Sequence, residues 1–344
     1  MAVPKDIILL NHFPFPYAIA RYASEVQRAL KENSKMVNIK INPTFKNFPA
    51  GKTYKGTNSL IANVFLKGFI YKELKQYVES TIKGSGLVHY TEQTMPSFSQ
   101  GGDREIVTFH DLFALKEKNG PKGLIFRNYT KKFLKFSHAI AISEYTRGEM
   151  EGAGFKGDIS RIYYGVPDLF HPRANSDRIR QQYGLPINKK LILSISSNAP
   201  RKNLPLLKKI SKQLDENTKV VRVGPSEGFD FSFQDISDNS LAELYNAVDA
   251  FILTSTDEGF NFPVAEAMAS GLPVVVSDIE IMKEVTGNAG ILCNTRDEAS
   301  FIEGINLALE ENSNYSNLSL KQAEKFTIKK FSKNMNEYYH KFAK

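Results

Sequence analysis

Apolar residues along this chain fall into short solid blocks separated by stretches in which they recur at helical spacing. Asp6-Ile7-Ile8-Leu9-Leu10-Asn11 reads as a buried strand, and Ile19, Tyr22, Ala23, Val26 and Leu30 then predict a helix over 18–30. Further strands are expected at 86–90, 105–109 and 139–142, with an amphipathic helix over 124–136 that turns Arg127, Lys131, Lys132 and Lys135 outward. A turn-rich segment from Gly165 to Arg173 closes this half. The second half repeats the alternation, with strands at 191–195, 220–223, 250–254, 273–277 and 290–292, and a helical period returns over 327–344. Strands alternating with helices predict an α/β protein built on parallel sheets, and 344 residues suit two such domains better than one core.

One unit of the second half carries candidate chemistry. The block Ala250-Phe251-Ile252-Leu253-Thr254-Ser255 leads into Thr256-Asp257-Glu258-Gly259-Phe260-Asn261-Phe262-Pro263, then into a short apolar helix, Gly271 and the next strand. In parallel sheets ligands bind outside the carboxyl ends of the strands. Glu258 stands at such an end, and Glu266 lies a little over two helical turns further, near the same face. The backbone N–H groups of Gly259, Phe260, Asn261 and Phe262 open the helix, where a phosphate is favoured. A carboxylate pair beside an anion-binding helix start predicts a polyhydroxylated, phosphate-bearing ligand, a nucleotide sugar.

The stretch from Glu258 to Val275 resembles the Glu-x(7)-Glu signature of glycosyltransferase family 4, the group 1 glycosyltransferases. Asn198-Ala199-Pro200-Arg201-Lys202-Asn203-Leu204 is similar to the Pro-Arg-Lys-Asn turn of that family, and Asp238 to Asp249 to its helix before the signature. Ile142 to Arg147, Tyr164-Gly165-Val166 and Phe109-His110-Asp111-Leu112 resemble first-domain segments, so the likeness covers most of 105–295 in the family's order. The resemblance implies a GT-B fold, two Rossmann-like doubly wound parallel-sheet domains facing across a cleft. Residues 1–168 would form the acceptor-side domain and 169–326 the donor domain, with the last helix, 327–344, crossing back onto the first. It implies retaining transfer of a sugar from a nucleotide-diphosphate sugar to a hydroxyl of a glycan, lipid-linked or small-molecule acceptor.

Roles follow the matched positions. Lys202 would place its ammonium on the donor diphosphate as charge develops on the leaving group, with Arg201 beside it or bracing the turn. Glu266 would accept hydrogen bonds from the ribose, which suits a carboxylate. Glu258 would lie nearer the sugar, orienting hydroxyls or supporting positive charge at the anomeric carbon. His110 would meet the sugar or the attacking hydroxyl. Each has a plainer alternative: a surface lysine, a helix-start carboxylate, a strand-end residue holding its loop, a packed histidine. Asn261 stands where the family often has Gly, and Asn tolerates positive φ. The departures are specific. The family's Gly-Gly-x-Gly-Arg-Tyr turn corresponds to Pro16-Tyr17-Ala18-Ile19-Ala20-Arg21-Tyr22, which keeps Arg21 and Tyr22 as acceptor-side candidates but loses every glycine. Ser196 stands where an Arg often precedes the Lys by six positions.

Composition narrows the partners. Residues 1–170 hold 24 Lys and Arg against 15 Asp and Glu, and the remainder 21 against 22, so the net charge of +8 comes from the first half. This is compatible with an anionic membrane or acceptor, or with a solvated basic face; no nucleic-acid-binding motif accompanies it. The single cysteine, Cys293, forms no disulfide framework. Neither a tight Asp-x-Asp nor a His-Glu-x-x-His occurs, so no metal and no cofactor are expected. The start, Met1-Ala2-Val3-Pro4-Lys5, lacks the pattern of a signal peptide, and a cytoplasmic protein, peripheral to the membrane face at most, is expected. Two other functions stay open: another GT-B chemistry such as a phosphorylase or epimerase, and a weak or inactive nucleotide-binding subunit.

Overall fold

A computed structural model describes residues 6–12, 18–40, 52–55, 60–84, 86–95, 98, 102–116, 120–174, 176–225 and 228–343. Met1 to Lys5, and Pro16 and Tyr17 of the glycine-less turn, lie outside the described residues. The chain divides into two compact units, Met1–Gly165 with Ile328–Lys344, and Val166–Thr327.

Among the described residues the first unit has seven parallel strands: β1 (Ile7–Asn11), β2 (Ser34–Lys40), β3 (Lys52–Lys55), β4 (Leu87–Tyr90), β5 (Glu105–Phe109), β6 (His138–Ala141) and β7 (Asp158–Arg161). Their order is β3-β2-β1-β4-β5-β6-β7, so the winding reverses between β1 and β4. The helix Ala18–Leu30 connects β1 to β2 and buries Ala20, Tyr22, Ala23, Val26 and Leu30, the face its apolar period predicts. The basic helix runs over Gly120–Phe133, and its chain leaves helical geometry through turns at Leu134 and Phe136. Lys131, Lys132 and Lys135 are exposed, whereas Arg127 is half-buried, with its Nε directed at the Ala114 carbonyl.

The last helix, Ile328–His340, packs against Ala18–Leu30, with the rings of Phe331 and Tyr22 edge to face at 5.7 Å. Gly165 permits the approach: a Cβ there would lie 2.6 Å from the Cβ of Phe331. A buried polar chain fixes the helix more closely. The Tyr339 hydroxyl is 2.5 Å from His89 Nδ1, His89 Nε2 is 2.7 Å from Thr108 Oγ1, and Thr108 Oγ1 is 2.9 Å from the Tyr22 hydroxyl. Burial keeps the His89 ring neutral by pulling its pKa down to about 3, with His110 adding to the effect.

The second unit has six parallel strands among the described residues: β8 (Lys190–Ile195), β9 (Thr218–Val223), β10 (Phe231–Phe233), β11 (Ala250–Leu253), β12 (Val274–Ser277) and β13 (Gly290–Cys293). The order β10-β9-β8-β11-β12-β13 reverses between β8 and β11. Ile192, Ile252 and Val275 meet Leu207, Ile210, Phe301 and Ile305 from the covering helices Leu204–Gln213 and Glu298–Glu310. Strands buried on both faces carry solid blocks of β-branched residues, which is why these were legible.

The neutral, buried His89 makes the first unit acid-sensitive. Its folded pKa lies below the unfolded value, so the unfolded chain binds the extra proton and stability falls as pH drops below about 6.5. Denaturant unfolding between pH 7 and pH 5 should lose on the order of 2 kcal/mol to this ring. His89→Leu should flatten that slope, and an unchanged slope would refute the assignment.

Candidate donor site

The candidate residues of the second unit gather where its winding reverses. After β8, Pro200–Lys202 form a single tight turn, and Asn203, at φ 51°, starts the helix Leu204–Gln213. The segment after β11 is laced to this turn. Thr256 N–H donates to the Arg201 carbonyl at 2.8 Å, and Thr254 Oγ1 donates to the Lys202 carbonyl at 3.1 Å. This lacing aims two oppositely charged side chains at each other. Lys202 Nζ donates to Glu258 Oε1 at 2.5 Å, and Arg201 Nη1 reaches Glu258 Oε2 at 3.4 Å. Glu258 is only 5% exposed, so the pair lies in low-dielectric surroundings where charge-assisted hydrogen bonds are strong. Lys202 and Glu258, expected to serve a ligand separately, are therefore partners of one another.

The helix after Glu258 is Phe262–Ala269. Asn261 takes the left-handed conformation, φ 73°, and its Oδ1 accepts from the Val264 N–H at 3.1 Å, so it caps the helix as well as making the turn. Gly259 precedes a pair of aromatic anchors: Phe260 is buried against Phe262 and stands edge to face with Phe326 at 5.2 Å. Glu266 is fully buried, in the second turn of this helix, and the Tyr245 hydroxyl lies 3.0 Å from its Oε2. The two carboxylates of the signature thus have different partners.

Two residues outside the sequence-based candidates belong to this end of the sheet. Tyr245, on the helix Asp238–Asn246, holds Glu266 and also lies 3.1 Å from the Pro263 carbonyl. Arg222, in β9, is fully buried and donates to the carbonyls of Ser194 and Val223 at 3.2 and 2.9 Å, to the carbonyl of Ser196, and to Ser196 Oγ at 3.1 Å. Burial pulls its pKa down to about 10, which still leaves it charged at neutral pH. An arginine inside a strand of valines was the available signal.

In the first unit His110 follows the carboxyl end of β5, whereas Arg21 and Tyr22 lie on the helix Ala18–Leu30. His110 Nε2 lies 2.8 Å from the Thr91 carbonyl, which can only accept, so Nε2 carries the proton and Nδ1 is the acceptor nitrogen. Burial lowers the pKa of this ring and keeps it neutral. Tyr22 stacks on His110 edge to face at 4.8 Å and is itself fully buried, its hydroxyl on Thr108, so it braces His110 from the core. Arg21 is also buried. At the winding reversal His12 pairs with Glu92, which also accepts from the Thr94 N–H at 2.8 Å. Burial alone would push the Glu92 carboxyl up, but His12 and Thr94 bring it below the usual range. Eighty positions separate the two residues, so no local motif exposes them.

Comparison with known proteins defines the class. Residues 175–326 match the family model "Glycosyl transferases group 1". The whole chain has the GT-B fold: it superposes on a sucrose-phosphate synthase from Thermosynechococcus elongatus with a TM-score of 0.77, covering 98% of both chains at 17% identity. It also superposes on HepE from Anabaena, solved with UDP-glucose, at a TM-score of 0.78, 16% identity and 98% and 99% coverage. Among curated relatives, it is 26% identical over 240 residues to the O-antigen chain mannosyltransferase RfbU of Salmonella typhimurium, matching 64% of each chain. It is 27% identical over 243 residues to the O-antigen chain mannosyltransferase B of Escherichia coli, matching 61% of this chain and 62% of that one. The matches thus span slightly less than two thirds of either relative.

Replacing Lys202 by Met leaves Glu258 nearly closed off with only the longer Arg201 contact. A loss of about 3 kcal/mol in the ligand-free protein is expected by denaturant unfolding. Adding Glu258→Gln should recover most of it; equal losses in single and double variants would show that the pair is not coupled.

Proposed function

We propose that this protein is a retaining, metal-independent glycosyltransferase that moves a hexosyl group from a nucleotide-diphosphate sugar to a hydroxyl of a glycan or lipid-linked acceptor. The observation that carries the reading is the Lys202–Glu258 pair, 2.5 Å apart beside the winding reversal of a unit that matches the group 1 family model. An ammonium held by a carboxylate is a preorganised cation. When a diphosphate arrives, Lys202 turns to its oxygens and offsets the charge that grows as the glycosidic bond breaks. Arg201 assists, and Glu258 is released toward the sugar, where it orients hydroxyls or supports positive charge at the anomeric carbon. Gly259, Phe260, Asn261 and Phe262 shape the loop at the phosphates. Glu266, held by Tyr245, accepts from the ribose.

In the first unit His110 supplies a neutral imidazole, its tautomer set by the Thr91 carbonyl, suited to a sugar or acceptor hydroxyl. Retention proceeds by front-face attack guided by the leaving phosphate. Mannose is the first sugar to test, because the two relatives matched over the longest stretches are named O-antigen mannosyltransferases. Such an acceptor is consistent with a protein that works at a membrane surface; no helix among the described residues is long and apolar enough to cross one.

A thermal-shift panel of UDP, GDP, ADP and their common hexose conjugates, run with chelator present, tests the reading. One nucleotide series should stabilise the wild type, by about 2.7 kcal/mol at 100 times its dissociation constant, and should fail to stabilise Glu266→Ala. No shift with any of them, or a shift that appears only with divalent metal, would contradict it.

A further inference from the structure

A cavity of about 520 Å³ opens in the second unit between the helix Leu204–Gln213 and the segment that joins β13 to the helix Glu298–Glu310. These two helices cover one face of the sheet together, whereas the helix Phe262–Ala269, which carries Glu266, packs against Asn312–Ala323. None of Arg201, Lys202, Glu258 or Glu266 lines the cavity. Its volume falls within the range of about 300–1,000 Å³ that small-molecule sites occupy, yet its lining is chiefly polar, which excludes an apolar ligand.

The polar groups divide by what they still offer. Asn203 Nδ2 is committed to the Thr295 carbonyl at 3.2 Å, so its Oδ1 is the atom left to accept a hydrogen bond. Thr256 Oγ1 donates to the Arg201 carbonyl at 3.3 Å and likewise keeps acceptor capacity. Both suit the hydroxyls of a ligand. Arg296 and Lys209 are donors only. Arg296 is exposed and makes no ion pair among the described residues, so its fork is open to two oxygens of one anion. Lys209 Nζ meets Glu298 Oε1 at 2.7 Å, and that hydrogen bond holds the Glu298 carboxyl below the usual range. An exposed pair of this kind opens at little cost. Two cations against one carboxylate leave the cavity with an excess positive charge.

We propose that this cavity is a second ligand site, separate from the donor site, that takes a phosphorylated polyol of hexose-phosphate size, with its phosphate on Arg296 and Lys209 and its hydroxyls on Asn203 and Thr256. Lys209 passes from Glu298 to the phosphate, and the released carboxylate accepts from a further hydroxyl. The site stands independently of the nucleotide-sugar reading, because the two sets of residues do not overlap.

Titration calorimetry of the full chain with glucose 6-phosphate, mannose 6-phosphate, inorganic phosphate and mannose tests the assignment. At least one hexose phosphate should bind more tightly than inorganic phosphate, and mannose should not bind. Arg296→Ala and Lys209→Ala should each weaken the hexose phosphate about tenfold, and Arg296→Glu should abolish its binding. Both side chains are exposed, so the variants keep the fold. Saturation with whichever nucleoside diphosphate binds the protein should leave the hexose phosphate in place. Failure of both hexose phosphates to bind, affinity unchanged in Arg296→Glu, or displacement by the nucleoside diphosphate overturns the proposal. Inorganic phosphate binding as tightly as the hexose phosphates overturns the ligand class. Binding that depends on Arg296 in a protein that takes no nucleoside diphosphate supports this site while the nucleotide-sugar reading fails.

Discussion

The ion pair between Lys202 and Glu258 is the contact on which the candidate site depends. It joins the segments that follow β8 and β11, the neighbouring strands between which the second sheet reverses its winding. A reversal draws the two flanking connections to opposite faces and opens a crevice at the strand ends. Opposite charges from the two sides then hold those segments in register, with Thr254 and Thr256 adding neutral hydrogen bonds between them. Without a ligand the pair satisfies itself. On the proposed function a diphosphate would compete for the ammonium, so that binding and rearrangement of the carboxylate would be one event.

The first unit follows the same logic with different chemistry. Its reversal lies between β1 and β4, and there too side chains from the two strand ends meet, His12 with the Glu92 carboxyl. Behind it a hydrogen-bonded chain, Tyr339–His89–Thr108–Tyr22, joins the last helix of the protein to the sheet and to its first helix. The chain ends beneath His110, since Tyr22 packs against that ring. The far C-terminal segment therefore fixes the orientation of a candidate site residue more than two hundred positions earlier in the sequence.

Legibility in the sequence followed burial. β8, β11 and β12 are covered on both faces and appear as solid apolar blocks, and the helix Ala18–Leu30 shows its one-sided period plainly. The strands not anticipated are polar or short: β3 with Lys52 and Lys55, β7 with Asp158 and Arg161, and β10 with three residues, all at sheet edges where polar side chains are expected. β2 was hidden because Asn38 interrupts its apolar block, and the structure shows why it is tolerated: Asn11 donates to it at 3.0 Å. The site motifs around Lys202, Glu258 and Glu266 could be read because each is local in sequence. The pairing of Lys202 with Glu258, the support of Glu266 by Tyr245 and the placement of Arg222 behind Ser196 could not, because they join residues 21 to 56 positions apart.

The central claim is that the Lys202–Glu258 pair is a preorganised receiver for the diphosphate of a nucleotide sugar. A crystal structure of the protein with the nucleoside diphosphate that stabilises it tests this most directly. The account predicts the Lys202 ammonium on a phosphate oxygen, its contact with Glu258 lengthened or broken, and the ribose hydroxyls at Glu266. A nucleotide bound elsewhere, with Lys202 still paired to Glu258 as in the free protein, would contradict it.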